Sequence, residues 1–185
     1  MDTPDNRKLN IVDENGKIIG EETRDTIHRL GLLHREIHVL FYTAFGEIIF
    51  QHRGRSKDTH PDLLAATVGG HVEIGLDFVD TAIKETEEET GIRVKKKELV
   101  FLKKLRTNSY DRITDKTNNT IRVVFAYHYG GKIEDLIVEK DEAMGFEAWL
   151  LNTLFNLSES DKGKFIPAML TKEYMDVFRQ IRDLV

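Results

Sequence analysis

Between Glu85 and Glu89 the chain sets four carboxylates in five positions, Glu85, Glu87, Glu88 and Glu89, directly before Thr90-Gly91. On a helix, Glu85, Glu88 and Glu89 stand at i, i+3 and i+4 and share a side, whereas Glu87 points away to solvent. The end of a helix is a poor place for that much negative charge. The macrodipole already puts about half a negative elementary charge there, and like charges at these spacings repel by a few tenths of a kcal/mol per pair. A divalent cation would turn the repulsion into coordination. Hard oxygen ligands gathered in this way suit Mg²⁺ or Mn²⁺ held beside substrate phosphates, and such ions neutralise a diphosphate and activate water for attack on phosphorus.

The elements around the cluster have to hold it in place. Asp77 is a suitable N-cap, with Asp80 three residues on where a capping box puts an acid, and Gly91 can take the left-handed conformation that ends a helix. The helix so bounded carries Phe78, Ala82, Glu85 and Glu89 on one stripe, running from core to the floor of a site. Gly69-Gly70 precede it, reached by a short strand over Leu63 to Val68. Upstream, apolar runs at 9–12 and 17–19 flank Asn15-Gly16, a hairpin signal. Residues 21–35 read as a polar connector carrying His28 and His34. A second hairpin, turning at Phe45-Gly46, begins at Glu36 and is rich in β-branched and aromatic residues. Downstream, residues 98–106 and 121–129 read as strands separated by a long polar loop from Thr107 to Thr120. Gly145 to Leu151 reads as a short strand entering a helix, and Ser158 to Lys164 as a linker. Ile166, Leu170, Tyr174, Val177, Phe178 and Ile181 then recur at the spacing of an amphipathic helix.

Composition narrows the classes. A chain of 185 residues with 40% hydrophobic content fits one globular domain. The expected division is an N-terminal extension over 1–35, a core over 36–157 and a C-terminal helix over 158–185. No cysteine is present, which excludes disulfides, thiolate metal sites and a cysteine nucleophile. The net charge of −5 offers no attraction to nucleic acid. The first ten residues lack the apolar core of a signal peptide, and no apolar run approaches the roughly 18 residues of a membrane span. The expectation is a cytoplasmic protein with no membrane or nucleic-acid partner, possible as a homodimer.

Read from Gly70, the sequence resembles the Nudix box, G-x5-E-x7-R-E-U-x-E-E-x-G-U with U aliphatic. Gly70, Glu85, Glu88, Glu89, Gly91 and Ile92 match, six of the nine fixed positions. Leu76 stands where the pattern has Glu, Lys84 where it has Arg, and Thr86 at an aliphatic place. The resemblance implies a Nudix-type α/β/α sandwich with a mixed sheet, here with an N-terminal hairpin and a C-terminal amphipathic helix. It implies a Mg²⁺- or Mn²⁺-dependent pyrophosphohydrolase acting on a nucleoside diphosphate linked to another moiety. The metal ligands it implies are Glu85, Glu88, Glu89 and the Gly69 carbonyl, with one glutamate activating water. Glu88 and Glu89 are box candidates for that base, and Glu139 and Glu142 are candidates in a late loop. His71, Glu73 and Arg53 are the candidate substrate contacts, Arg53 belonging to a basic loop with Arg55 and Lys57.

The N-terminal half, with Asp13-x-x-Gly16, His28-x-x-Gly31-Leu32-Leu33-His34-Arg35 and Gln51-x-Arg53-x-x-x-Lys57, resembles the isopentenyl-diphosphate isomerase-like branch. His28, His34 and His71 fall near histidines that bind metal in those isomerases. Gly69 takes the place of their cysteine, however, and Asn118-Asn119-Thr120 that of their acidic pair, which argues against isomerisation. An isomerase-like enzyme on isoprenoid diphosphates is one alternative. A non-catalytic nucleotide-sensing module, motivated by Leu76 and Lys84, is another.

Overall fold

Strand β3 (His34–Tyr42) organises the chain. The computed structural model describes residues 6–57, 59–112, 114–138 and 143–185. Along one edge β3 pairs in parallel with β8 (Lys116–His128) over its whole length, from His34↔Thr120 to Tyr42↔His128. Three strands share its other edge. β1 (Lys8–Val12) meets it at Ile11↔His34, β6 (Val68–His71) covers Glu36 to Val39, and β4 (Glu47–Arg53) takes Phe41 and Tyr42, all antiparallel. β2 (Ile18–Thr23) closes a hairpin on β1, β5 (Leu64–Ala65) and β9 (Ala143–Leu150) flank β4, and β7 (Leu99–Asp111) pairs with β8. The result is one mixed sheet of nine strands, and the chain is a mixed α/β fold.

The alternation of β3 assigns its two faces. Ile37, Val39 and Phe41 pack with Ile49, Val68, Val123, Phe125 and Ala82 beneath α2 (Phe78–Thr90). Leu40 and Tyr42 pack with Phe50, Val124 and Ala126 beneath α5 (Lys172–Arg182), whose Tyr174, Val177, Phe178 and Ile181 are buried. The amphipathic stripe read from the sequence is therefore the seam of α5. Its helix starts at Lys172, after a 3₁₀ turn at Pro167–Leu170. Short helices α3 (Leu151–Leu154) and α4 (Glu159–Lys162) connect β9 to that turn.

Both expected hairpins at the N-terminal end form, as does the capped helix: Asp77 accepts from the Val79 and Asp80 N–H groups at 2.8 Å, and Gly91 closes it at φ 73°. Besides α4 inside the expected 158–164 linker and the late start of α5, three segments differ from expectation. The connector at 21–35 holds a helix, α1 (Arg24–Leu30), capped by Thr23. The single strand expected at 63–68 is two, β5 and β6, with Gly69 and Gly70 inside the second. The loop expected at 107–120 is the end of the long β7–β8 hairpin, paired from Thr107↔Thr120 to Asp111↔Lys116. Its polar residues hide the strand because neither face there is consistently buried, and Thr107 and Thr120 instead join hydroxyls at 2.6 Å. No helix among the described residues is long and apolar enough to cross a membrane.

Candidate active site

α2 and β6 bring the box residues together because Gly70 has no side chain. A Cβ there would lie 2.5 Å from Glu85 Cγ, so the Glu85 chain crosses the strand through the space that glycine leaves. Lys84 extends alongside, its Nζ 2.7 Å from Glu88, 3.4 Å from Glu73 and 3.5 Å from Glu85. One ammonium thus gathers three carboxylates. Glu89 is 7% exposed and turns inward, its Oε2 accepting from the Gln51 amide at 2.6 Å and its Oε1 facing the Gly69 N–H at 3.4 Å. Burial, reinforced by Glu85, pushes the Glu89 carboxyl up to about 8. Burial likewise raises Glu85. Glu87 faces away and pairs with Arg93 at 2.6 Å.

This donor set fits a divalent cation. Burial and mutual repulsion raise Glu85 and Glu89, and the crowding of these carboxylates with Glu88 around a single ammonium is charge that a cation would relieve. Glu85, Glu88 and Glu89 are the side chains that would hold it, next to Gly69 on β6. Thr86, at the aliphatic box position, is fully buried behind them.

A cavity of about 420 Å³ extends from these glutamates to β3, β8 and the N-terminal segment. Three of the expected contacts line it, in different ways. Arg53 Nη2 donates to the Thr59 carbonyl at 2.7 Å and its Nε to the Thr59 and His60 carbonyls, so the guanidinium holds the 59–60 turn against the cavity. Glu73 meets Arg7 at 3.2 Å as well as Lys84. His71 joins a second cluster: its ring stacks on His34 at 5.0 Å and meets His28 edge-on at 5.1 Å. One ligand nitrogen from each of the three histidines lies within 4.8 Å of the others. His34 Nδ1 faces the Leu32 carbonyl at 2.9 Å and His28 Nδ1 the Thr117 carbonyl at 3.3 Å. Such contacts orient histidines that ligate a metal. The Nε2 atoms of His34 and His71 are buried with no hydrogen-bond partner. Burial lowers the pKa of both, so they are neutral imidazoles suited to a borderline-soft cation. Glu139 and Glu142 lie outside the described residues.

A third group, not anticipated from the sequence, forms the cavity floor. Glu36 and Arg122 are opposite each other on β3 and β8, and Arg122 Nε and Nη2 both donate to Glu36 Oε2, at 2.9 and 2.6 Å. Burial alone would raise Glu36, but the Arg122 guanidinium holds its carboxyl well below the usual range. Arg122 Nη1 also reaches the Tyr174 hydroxyl of α5 at 3.4 Å, and that hydroxyl is hydrogen-bonded to His38 Nδ1. The signal for this group was available: Glu36 and His38 are polar residues that share a face with Leu40 and Tyr42 on a strand that is otherwise apolar from Ile37 onward. His38 lies under Gly69, where a Cβ would be 3.3 Å from its ring. The imidazole therefore fills the space that a side chain at Gly69 would need.

Comparisons with known proteins identify the family. The NUDIX domain family matches residues 32–169. An uncharacterised Nudix hydrolase of Yersinia pestis is 38% identical over 84 residues, 45% of this chain and 46% of that protein. The chain thus spans about half the length of the curated relatives it matches. A solved Deinococcus radiodurans structure superposes with a TM-score of 0.68 at 18% identity, covering 94% of this chain and 98% of that one. The NUDIX domain of Shewanella oneidensis NrtR, solved with ADP ribose, superposes at 0.54 with 13% identity, over 82% and 86% of the two chains. With three quarters of its length inside the family match, the chain belongs to the NUDIX domain family.

Proposed function

We propose that this chain is a Mg²⁺- or Mn²⁺-dependent pyrophosphohydrolase that cleaves a nucleoside diphosphate linked to another moiety, or a similar small diphosphate. The observation that carries this reading is the passage of Glu85 over Gly70 to join Glu88 and Glu89 at the head of the cavity. When bound, a divalent cation supplies charge neutralisation and Lewis acidity. The chain's own part is to place the carboxylates. Gln51 and the Gly69 N–H fix Glu89, and Lys84 spans Glu85, Glu88 and Glu73. Glu88, whose side chain is 49% exposed, and Glu89 are the box candidates for accepting the proton of an attacking water. Lys84 reaches the carboxylates that the family's arginine would orient, so the substitution keeps the charge and gives up the planar fork. The ADP-ribose complex of a fold neighbour supports a nucleotide-derived substrate.

The test is a panel of nucleoside-diphosphate-linked compounds assayed with Mg²⁺ and with Mn²⁺, products being identified by mass. Turnover by the wild type and a loss of about a hundredfold or more in Glu88→Gln or Glu89→Gln are expected. No turnover of any compound, or full activity in both variants, overturns the reading.

The three-histidine cluster favours a second reading, in which the chain keeps a cation where the isomerase-like branch holds one and acts on isoprenoid diphosphates. Incubation with isopentenyl diphosphate and Zn²⁺ or Mn²⁺ decides it. Absence of a dimethylallyl product removes this alternative.

A further inference from the structure

The hydrogen bonds on the cavity floor run in one direction, and this fixes a proton that no contact within the group uses. Arg122 is a donor only, so its Nη1–H must be accepted by the Tyr174 hydroxyl oxygen. The Tyr174 hydroxyl still has its own proton to place, and His38 Nδ1 is the acceptor its contacts offer, so the imidazole presents its lone pair there. A neutral imidazole that accepts at Nδ1 carries its hydrogen at Nε2. The carboxylate nearest that hydrogen is Glu36. Glu36 Oε1 is 3.7 Å away, beyond hydrogen-bond reach, and Oε2 already accepts twice from Arg122. His38 lines the cavity beneath Gly69, at the glutamate end.

We propose that His38 is a substrate-binding residue whose Nε2–H donates to an oxygen of the bound diphosphate, held in that tautomer by Tyr174. The ligand identity rests on the pyrophosphohydrolase reading given above; the tautomer does not. A buried neutral donor discriminates in favour of an acceptor oxygen and adds no charge to a cavity already rich in ionised groups. α5, remote from the box in sequence, thereby enters the site through one hydroxyl. Tyr174 is a positioning residue and His38 the contact.

The experiment has two readouts. In protein labelled with ¹⁵N-histidine, long-range ¹H–¹⁵N spectra of the metal-free wild type should show His38 protonated at Nε2, and Tyr174→Phe should release it to a mixture of tautomers. Titration of methylenediphosphonate, a non-hydrolysable diphosphate, by calorimetry in saturating Mg²⁺ then tests the contact. His38→Leu should weaken binding by about tenfold. His38→Gln, which returns an N–H donor near the Nε2 position, should stay within about threefold of wild type, and Tyr174→Phe should fall between them. Circular dichroism confirms that each variant is folded, and Tyr174→Phe, which retains the imidazole, serves if His38→Leu is not. A wild type protonated at Nδ1, or binding unchanged in both His38→Leu and Tyr174→Phe, overturns the proposal. A wild type that does not bind the diphosphate at all overturns the pyrophosphohydrolase reading and the assigned ligand together, a result distinct from wild-type binding that the variants leave unchanged.

Discussion

Glu89 is the residue on which burial and chemistry conflict most directly. Its carboxyl is pushed up to about 8 from an ordinary 4.5, by burial first and Glu85 second. The consequence for stability has a definite sign. Below about pH 4.5 both folded and unfolded states are protonated. Between there and pH 8 the unfolded chain releases the proton and the metal-free folded chain retains it, so stability falls across that window and levels off above it. Glu89→Gln removes the titration while leaving an oxygen to accept from Gln51. Its metal-free melting temperature should therefore be flatter from pH 5 to 9, with a gain over wild type of ~1–4 kcal/mol at the alkaline end. Saturating Mg²⁺ should reverse the order, because a cation that binds the ionised carboxylates stabilises only the wild type appreciably. Parallel pH profiles in wild type and variant, with and without EDTA, would refute this. The carboxylates themselves were legible from spacing alone, because i, i+3 and i+4 on a helix leave little freedom. The Gln51–Glu89 contact was not. It spans 38 residues and depends on strand register, which a single sequence does not reveal. The same holds for Tyr174 and His38, 136 residues apart.

Among the elements, α2 was the most readable and contains one local mismatch. Its caps at Asp77 and Gly91 were visible as residue types, and both form. The mismatch is Thr86, which occupies the aliphatic box position, is fully buried, and has a hydroxyl with no hydrogen-bond partner. A buried hydroxyl without a partner costs about 1–3 kcal/mol in desolvation. Thr86→Val keeps shape and branching while removing that atom. It should stabilise the protein by about 1 kcal/mol in urea unfolding, with the denaturant slope unchanged. Asp77→Ala should do the reverse, costing about 1 kcal/mol through loss of the two N-terminal hydrogen bonds. If Thr86→Val destabilises instead, the hydroxyl has a role in holding α2 on the sheet that these contacts do not contain. Comparing metal affinity between the two variants would separate helix stability from helix position, since Thr86 lies directly beneath Glu85 in the sequence of the box and Asp77 lies two turns away.

At the scale of the whole molecule, the sheet is longer than the sequence pattern suggested, and the difference bears on how the site is held. Apolar periodicity located β3, β4 and the inner part of β8, because those strands are buried on one or both faces. It lost the outer half of the β7–β8 hairpin, where Thr, Asn and Ser alternate with no consistently buried side. Pairing there depends on backbone hydrogen bonds and on polar contacts such as Arg106 to Asn119 at 2.6 Å and Arg106 to Glu14 at 2.8 and 2.9 Å. Those last contacts tie the hairpin to the N-terminal β1–β2 turn. Asn118 and Arg122, both in contact with Glu36, sit on the same strand further in. The cavity floor is therefore an extension of this hairpin, anchored at one side by β3 and at the other by an exposed ion pair. Exposed pairs contribute little, about 0–1 kcal/mol, so the pairing itself must hold. Native-state hydrogen exchange tests it: the inward-paired amides of residues 107–110 and 117–120 should be protected by about a hundredfold or more over unfolded rates, whereas a polar loop would exchange almost freely. Arg106→Ala should lower protection at that end by only a few-fold and leave residues 121–127 unchanged. Free exchange across 107–120 would mean that the hairpin ends near Arg106, and that Asn118 reaches Glu36 from a mobile segment.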